Sequence, residues 1–316
     1  MKIFKFGGTL LATSSLREKI IHWLKSWNQE KIIVVCSAMG RNGFPYATDT
    51  LLKLIEEGKL SEKEIARFIS VGEIISSLLF TSDCIKNGLN ATSLSPLELG
   101  IKTDSTYLDA NIIQMDGENI VEALKEHDIV IVPGFLGTND NHEITTLGRG
   151  GGDLTPLALA DFFHLSEVYL FKDVQGVFPS QPLLSKKILP YQKLSYLEMR
   201  WLIDMGYNVL QRKAIMFAEK KKIHIYVGKI DDENGTWIQE ENSKENCIGC
   251  LATHQKILLA AHDLNRVYQE VQERLAHKHI FIKEYEMEGA ILTMSLPSSQ
   301  ITVAKREIIS FYWDKQ

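Results

Sequence analysis

The chain is short of cysteine, of surplus basic charge and of long apolar runs, and each shortage excludes a class of protein. Four cysteines among 316 residues are too few for a disulfide scaffold. Thirty-five Lys and Arg against 40 Asp and Glu leave a net charge of −5, whereas a dedicated nucleic-acid binder needs a surplus of cations to neutralise phosphates. The longest uninterrupted apolar stretches, such as Ile32-Ile33-Val34-Val35-Cys36, fall far short of the ~20 residues of a membrane span. Met1-Lys2-Ile3-Phe4-Lys5 leads into no long apolar run, so no signal peptide is expected. There is no internal repeat and no low-complexity tract. What remains is an ordinary globular composition, 45% hydrophobic and 24% charged, which rules out wholesale disorder. The length fits one large domain, or a large one and a small one. These features predict a soluble cytoplasmic protein with no nucleic-acid or membrane partner.

Short β-branched runs alternate with segments of helical period. Residues 2–6 read as a strand ending in a Gly7-Gly8-Thr9 turn, and Ser15-x-x-Glu18 has the spacing of a capping box. Leu16, Ile20, Trp23, Leu24 and Trp27 make one apolar stripe on the helix that follows. Residues 31–36 are continuously apolar after their lysine, as expected for a strand buried on both faces of a parallel sheet. A polar loop with Gly40, Gly43 and Pro45 precedes a helix expected over 49–57 and closed by Gly58. Ser61-x-x-Glu64 opens a long helix to about Lys86, with Gly88 just beyond. Further strands are expected at 111–115, 129–132, 167–171 and 222–227. Alternation of this kind predicts an α/β fold with a mainly parallel central sheet.

The polar stretch 231–246 marks an expected boundary between a domain over 1–246 and a small α+β unit over 247–316. That unit reads strand 255–261, helix 264–276, strand 280–285, a turn at Gly289 and strand 290–296. So short a βαββ sheet has little core of its own, and pairing across a two-fold axis into a homodimer is expected.

Several segments carry groups that chemistry could use. In Lys5-Phe6-Gly7-Gly8-Thr9, bare amides and a cation at a strand end suit phosphate, although Gly-Gly after a strand also serves as a plain turn. In Thr145 to Asp153, four glycines surround Arg149 at a helix start. This is either a hinge loop or an anion site that Asp153 can cap. Glu73 sits among Ile69, Val71, Ile74, Ile75 and Leu78, either solvated on the opposite face or holding a ligand ammonium. Ser37 follows a buried strand, where α/β folds bind ligands, and Thr48 could bind there or serve as an N-cap. Asp173 and Phe178 could frame a nucleotide, or form a turn and a core anchor. Cys247-Ile248-Gly249-Cys250, with only His254 close by, falls short of a four-ligand zinc site and reads as strand; no metal ligand is assigned.

Seven ordered segments together resemble the aspartate kinase branch of the amino-acid kinase family. They are KFGGT (5–9), VVCSAMGRNGFPYATDTLL (34–52), SVGEIISSLLF (70–80), VPGFLGT (132–138), TTLGRGGGDLT (145–155), DVQGV (173–177) and GYNVL (206–210). The resemblance covers roughly residues 1–238. It implies a three-layer α/β/α sandwich, with the amino acid in the N-terminal half and ATP in the C-terminal half. It also implies a biosynthetic reaction, phosphoryl transfer from MgATP to the side-chain carboxylate of aspartate, giving an acyl phosphate. The tail is similar to a shortened, single ACT-type regulatory module. By this resemblance Lys5, with Gly7 and Gly8, stabilises the transferring phosphoryl group, and Asp153 orients Lys5. Arg149, Gly150 and Gly151 hold a substrate carboxylate, while Thr48 and Glu73 hold the other polar groups of the amino acid. The nucleotide falls to Lys5, Gly7, Gly8, Ser37, Lys172, Asp173, Phe178 and Asn208. An acceptor carboxylate is already ionised at neutral pH and needs no general base. The difficulty lies in bringing two anions together, which calls for positioning, Mg²⁺ and fixed cations.

The departures from the family cluster in the nucleotide half. Leu10 and Gly152 stand where the family has serine, and Pro156 where alanine is common. A Thr-Asp pair becomes Lys172-Asp173, DVDGVY becomes DVQGVF with Gln175 and Phe178, and ADPR gives way to Ser180-Gln181-Pro182-Leu183. A lysine is lost at Asn208 and a histidine at Gln211, with Arg212 and Lys213 restoring positive charge nearby. Two alternatives therefore accompany the kinase expectation: a kinase for a different amino-acid acceptor, and an amino-acid-binding regulatory protein with an eroded nucleotide site.

Overall fold

A computed structural model describes residues 1–180, 188–232 and 234–313. The chain forms two compact units, Met1–Gln175 with Lys213–Glu233, and Gly176–Arg212 with Asn234–Gln316. The boundary expected after residue 246 falls inside the second unit. The segment 181–183, expected to depart from the family, lies outside the described residues.

In the first unit six parallel strands are ordered His224–Gly228, Glu167–Phe171, Lys2–Phe6, Ile32–Cys36, Ile129–Pro133 and Ala91–Ser93. Ile32–Cys36 and Ile129–Pro133 are buried throughout, as continuous apolar runs at the centre of a parallel sheet should be. Side chains alternate between faces along each strand. On the first strand Phe4 and Phe6 face an aromatic layer, with Phe4 4.9 Å from Trp23 and 5.2 Å from Trp27, and Phe6 5.5 Å from Phe171. Lys5, in register with Val35 and Leu170, is left on the other face. Helices on both faces complete a three-layer α/β/α sandwich.

Local signals are realised unevenly. The Ser61 capping box forms as read, and its helix, Glu62–Lys86, ends before Gly88 at φ +80°. Among the described helices it alone is long and apolar enough to cross a membrane, and half of that stretch is buried within the fold. The Ser15 box does not form: Thr13, extended at φ −128°, accepts from the Leu16 amide, so the helix Ser14–Leu24 starts earlier. Of the expected turn Gly7-Gly8-Thr9, the last two residues open a short helix, Gly8–Leu11. The helix expected over 49–57 contracts to Thr48–Leu52. Ile112–Met115 belongs to a small mixed sheet with Ile101–Thr103, Leu136–Thr138 and Ile144–Thr146. That sheet delivers the chain into the glycine loop and the helix Gly151–Phe162.

The second unit pairs Lys193–Ser195 with Thr236–Gln239 in parallel. Its antiparallel sheet is ordered Cys247–Ala252, Lys256–Ala261, Ile291–Ser295, Glu284–Glu288. The cysteine pair lies in the first of these strands, buried and free of disulfides. The strand expected at the cysteine pair forms, as Cys247–Ala252, although the βαββ reading left it out of the unit; the closing helix Ser298–Trp313 was missed. Ile301, Ala304 and Ile308 of that helix meet Val267, Val271 and Leu275 of Leu264–Ala276 in one buried cluster. The unit therefore has a core of its own, contrary to the premise from which pairing was expected.

Candidate active site

The C-terminal ends of Lys2–Phe6, Ile32–Cys36 and Glu167–Phe171 open onto one cluster. Lys5 Nζ donates to Asp153 Oδ1 at 3.0 Å, and Lys172 Nζ donates to Asp153 Oδ2 at 2.7 Å. Lys5 is 6% exposed and Asp153 4%. Burial pushes the Asp153 carboxyl up, but Lys172 and then Lys5 outweigh it and hold the group at about 2. The Lys172 ammonium is drawn below the usual lysine range by burial, against the pull of Asp153. Two cations thus share one carboxylate at the strand ends. Asp153, which could have capped its helix, does not: the cap is Gly150 at φ +78° with no side-chain bond, and Asp153 faces the lysines.

The glycines next to Lys5 divide their tasks. The Gly7 amide donates to the Phe171 carbonyl at 3.0 Å, so it is not the bare donor expected for phosphate. Gly8 starts the short helix, and a Cβ there would lie 2.2 Å from the Ala38 carbonyl oxygen. A Cβ on Gly152 would sit 3.7 Å from Ser37 Oγ and 3.9 Å from Lys5 Cε, which places the glycine loop over both residues.

Glu73, 3% exposed on the long helix, lies beside this cluster. Burial raises its carboxyl to about 8, against hydrogen bonds that include the Ala38 backbone and the Thr48 hydroxyl, and against the charge of Lys5. Thr48 Oγ1 donates to Glu73 Oε1 at 3.4 Å, while Oε2 is buried and unpartnered. Thr48 is not an N-cap, that position being Ala47. Gly72 makes the approach possible, since a Cβ there would be 2.4 Å from the Tyr46 carbonyl oxygen.

Other expected residues are placed differently. Arg149 is exposed and makes no ion pair among the described residues. The glycines around it answer to backbone geometry: Gly148 and Gly150 have φ +74° and +78°, and a Cβ on Gly151 would be 2.4 Å from Leu147 Cβ. Their number is therefore no sign of a ligand. Asp173 is paired with Arg41 at 2.8 Å. Phe178 packs against the apolar core of the second unit, and Asn208 is exposed in that unit. Arg212 is paired with Asp204, and Lys213 with Asp109 at 2.6 Å, so neither stands as an unpaired cation.

Sequence reasoning passed over Thr155, whose hydroxyl accepts from the Phe135 amide at 3.0 Å and fixes the helix start below the glycine loop. Pro156, sixth in that helix, lacks the amide that would bond to the Gly152 carbonyl. Among the described residues no group of three His, Cys, Asp or Glu is placed to hold a metal ion.

A family profile described as the Amino acid kinase family matches residues 1–229. Aspartokinase 1 of Bacillus subtilis (strain 168) is 34% identical over 252 residues, 78% of this chain and 62% of that protein. An aspartokinase of Geobacillus stearothermophilus is 34% identical over 248 residues, 76% and 59% of the two chains. The chain thus spans about three fifths of the length of these curated relatives. The fold is similar to that of E. coli aspartokinase III in complex with aspartate and ADP (TM-score 0.70, 20% identity, 96% of this chain and 80% of that one). It is also similar to that of Clostridium acetobutylicum aspartate kinase (TM-score 0.71, 14% identity, 99% and 100%). With more than two thirds of its length matched by the family profile, the chain belongs to the amino acid kinase family.

Proposed function

We propose that the chain transfers the γ-phosphoryl group of ATP to the side-chain carboxylate of aspartate or a close analogue, giving an acyl phosphate and ADP. One observation carries the reading. A buried cluster of two lysines on one carboxylate, Lys5–Asp153–Lys172, stands beside a buried carboxylate, Glu73, that has a free oxygen. An amino acid and a polyphosphate, bound side by side, satisfy both. The relatives' names agree with it.

An acceptor carboxylate oxygen attacks the γ-phosphorus, the bond to the bridging oxygen breaks, and the electron pair leaves on ADP. No proton moves, so the reaction asks only for positioning and charge neutralisation. Lys5 neutralises the transferring group, and Asp153 keeps its ammonium in place. Glu73 and Thr48 take the substrate ammonium. Arg149, on the loop with Gly150 and Gly151, closes on the remaining carboxylate. Gly8 and Ser37 line the phosphate path, with Lys172 and Asp173 on the nucleotide side; Phe178 and Asn208 are the remaining expected nucleotide contacts. Asp153 and Asp173 are engaged by lysine and arginine, and among the described residues no ligand set stands ready for Mg²⁺, so the ion would enter on the nucleotide's phosphates. The same reading makes the protein cytoplasmic and homodimeric, the exposed edge strand Glu284–Glu288 offering unpaired backbone to a second copy; a concentration-independent monomer mass by light scattering would exclude the dimer.

The test is hydroxamate formation from aspartate, ATP and hydroxylamine. Lys5→Ala and Arg149→Ala should each abolish it; activity surviving both changes overturns the reading. An acceptor panel in the same assay separates aspartate from other amino acids. The regulatory alternative is favoured by Asp173 being tied to Arg41 and by Phe178 packing into the second unit's core. Calorimetry showing aspartate binding without nucleotide binding would establish it instead.

A further inference from the structure

We propose that the Ser76 hydroxyl is a further substrate-binding group, which joins Glu73 and Thr48 in receiving the N–H donors of the acceptor's primary ammonium. The proposal rests on the reading of Glu73 as the place of that ammonium, and adds a residue outside the expected set.

The hydroxyl is singled out by a bond it does not make. The helix Glu62–Lys86 buries four hydroxyl side chains, Ser70, Ser76, Ser77 and Thr81. Three of them donate to a backbone carbonyl three or four residues back: Ser70 to Arg67 at 2.7 Å, Ser77 to Ile74 at 2.9 Å, Thr81 to Ser77 at 2.8 Å. A buried helical hydroxyl is commonly satisfied in this way. Ser76 is 0% exposed, yet among the described residues its Oγ has no hydrogen-bond partner. Such an orphan destabilises the empty protein, and a ligand that completes its bonding removes that cost.

Position supplies the second point. Residues three and four apart on a helix are surface neighbours, so Ser76 lies one turn from both Glu73 and Gly72. Gly72 marks the side of the helix that meets the loop leading to Thr48. A Cβ there would lie 2.4 Å from the Tyr46 carbonyl oxygen and 3.0 Å from Ala38 Cβ. Glu73 Oε2 is likewise buried and unpartnered among the described residues. Two orphaned oxygens thus stand one turn apart on the buried face of one helix, beside the contact of Thr48 with Glu73 Oε1.

Chemistry names the ligand. A primary ammonium carries three donors and no acceptor. Glu73 Oε2, the Ser76 oxygen and the lone pairs that Thr48 Oγ1 keeps after donating to Oε1 make three acceptors. An anion in the same place would face the Glu73 carboxylate, so the complement of this set is a cation.

The experiment is calorimetric titration of the full chain, without nucleotide, with aspartate and with succinate, which lacks the ammonium. Wild type and Ser76→Ala are compared, and both are melted without ligand. A hydrogen bond to a charged group is worth roughly tenfold in affinity. Ser76→Ala should lose about that much for aspartate and nothing for succinate. It should melt no lower than wild type, because alanine removes the orphan and favours the helix. If Ser76→Ala does not fold, Ser76→Cys, a weaker hydrogen-bonding group of similar shape, carries the same comparison. Unchanged aspartate affinity, or equal loss for both ligands, overturns the proposal alone. Where succinate binds too weakly to read, Ser76→Ala combined with Thr48→Val decides. A loss for aspartate smaller than the two single losses together supports one shared ammonium, and an additive loss overturns it. A wild-type protein that binds no aspartate overturns the acceptor reading and this proposal with it.

Discussion

Thr48 reaches Glu73 across two elements, its hydroxyl 3.4 Å from Oε1, and among the described residues none bonds to Oε2. Burial lifts the Glu73 carboxyl to about 8, against ~4.3 in an unfolded chain. Between those values folding takes up a proton, so this group's contribution to stability is full below the lower value and is lost as pH rises through the higher one. Wild-type protein should lose melting temperature between pH 5 and pH 8.5 (a range set by these two values, about 4.3 and about 8) more steeply than Glu73→Gln. A substrate ammonium favours the ionised form, so amino-acid binding at pH 7 should release close to one proton, read from calorimetry in buffers of different ionisation enthalpy. Parallel melting curves for the two proteins would exclude this role.

Asp153 accepts from two lysines, Lys5 and Lys172, and that sharing predicts a rescue. Asp153→Asn removes the carboxylate that both ammonium groups share in a buried setting. The loss should be about 3–5 kcal/mol of stability. Adding Lys172→Met removes one of the two cations that Asp153 held together and should restore a substantial part of it. Additive losses in denaturant unfolding would show that the three residues are not coupled.

The glycine loop separates backbone need from ligand need. At Gly148, φ is +74° and a Cβ would be 1.8 Å from Asp109 Oδ1. Gly148→Ala should lose stability by at least ~1–3 kcal/mol. Gly152 meets only ordinary contacts at 3.7 and 3.9 Å, and lies in a helix, where alanine is favoured by up to ~1 kcal/mol. Gly152→Ala and Gly152→Ser should therefore fold at least as stably as wild type. Thermal melts of the three variants decide it.

How much of this was legible depended on how local each signal is. The strand bearing Lys5, the buried run Ile32–Cys36 and the Ser61 capping box are set by nearest neighbours, and they form where the sequence places them. The Glu73–Thr48 meeting was suspected only through family resemblance, because it depends on Gly72 admitting a loop from 26 positions earlier. Lys172 drew attention as a departure from a motif. Its pairing with Asp153 rests on strand order, which no local pattern encodes. The glycine loop stays ambiguous: positive φ and close packing already explain its glycines, so their number alone assigns no ligand. Ser298–Trp313 has apolar residues at helical spacing but was overlooked, and it supplies the core that the second unit was thought to lack.

Glu198 gives that second unit its own test. It is fully buried, and Oε2 accepts the Ser195 amide at 2.7 Å and the Ser243 amide at 2.9 Å. Oε1 accepts the Ser243 hydroxyl and His262 Nε2, each at 2.8 Å. Burial pushes the carboxyl up, yet the Ser195 amide, His262 and Ser243 more than offset it and lower it. A lowered carboxyl contributes stability that is present above its unfolded value and is lost as pH falls through the folded one. Glu198→Gln presents an amide N–H₂ to groups that are themselves donors, and at neutral pH should lose about 2–4 kcal/mol in urea unfolding of the full chain. That gap should narrow once the pH drops below the ordinary carboxylate range. A gap of constant size down to pH 3 (about a unit below the ordinary carboxylate value of ~4) would mean that side-chain shape, and not the carboxylate's charge, ties these segments together.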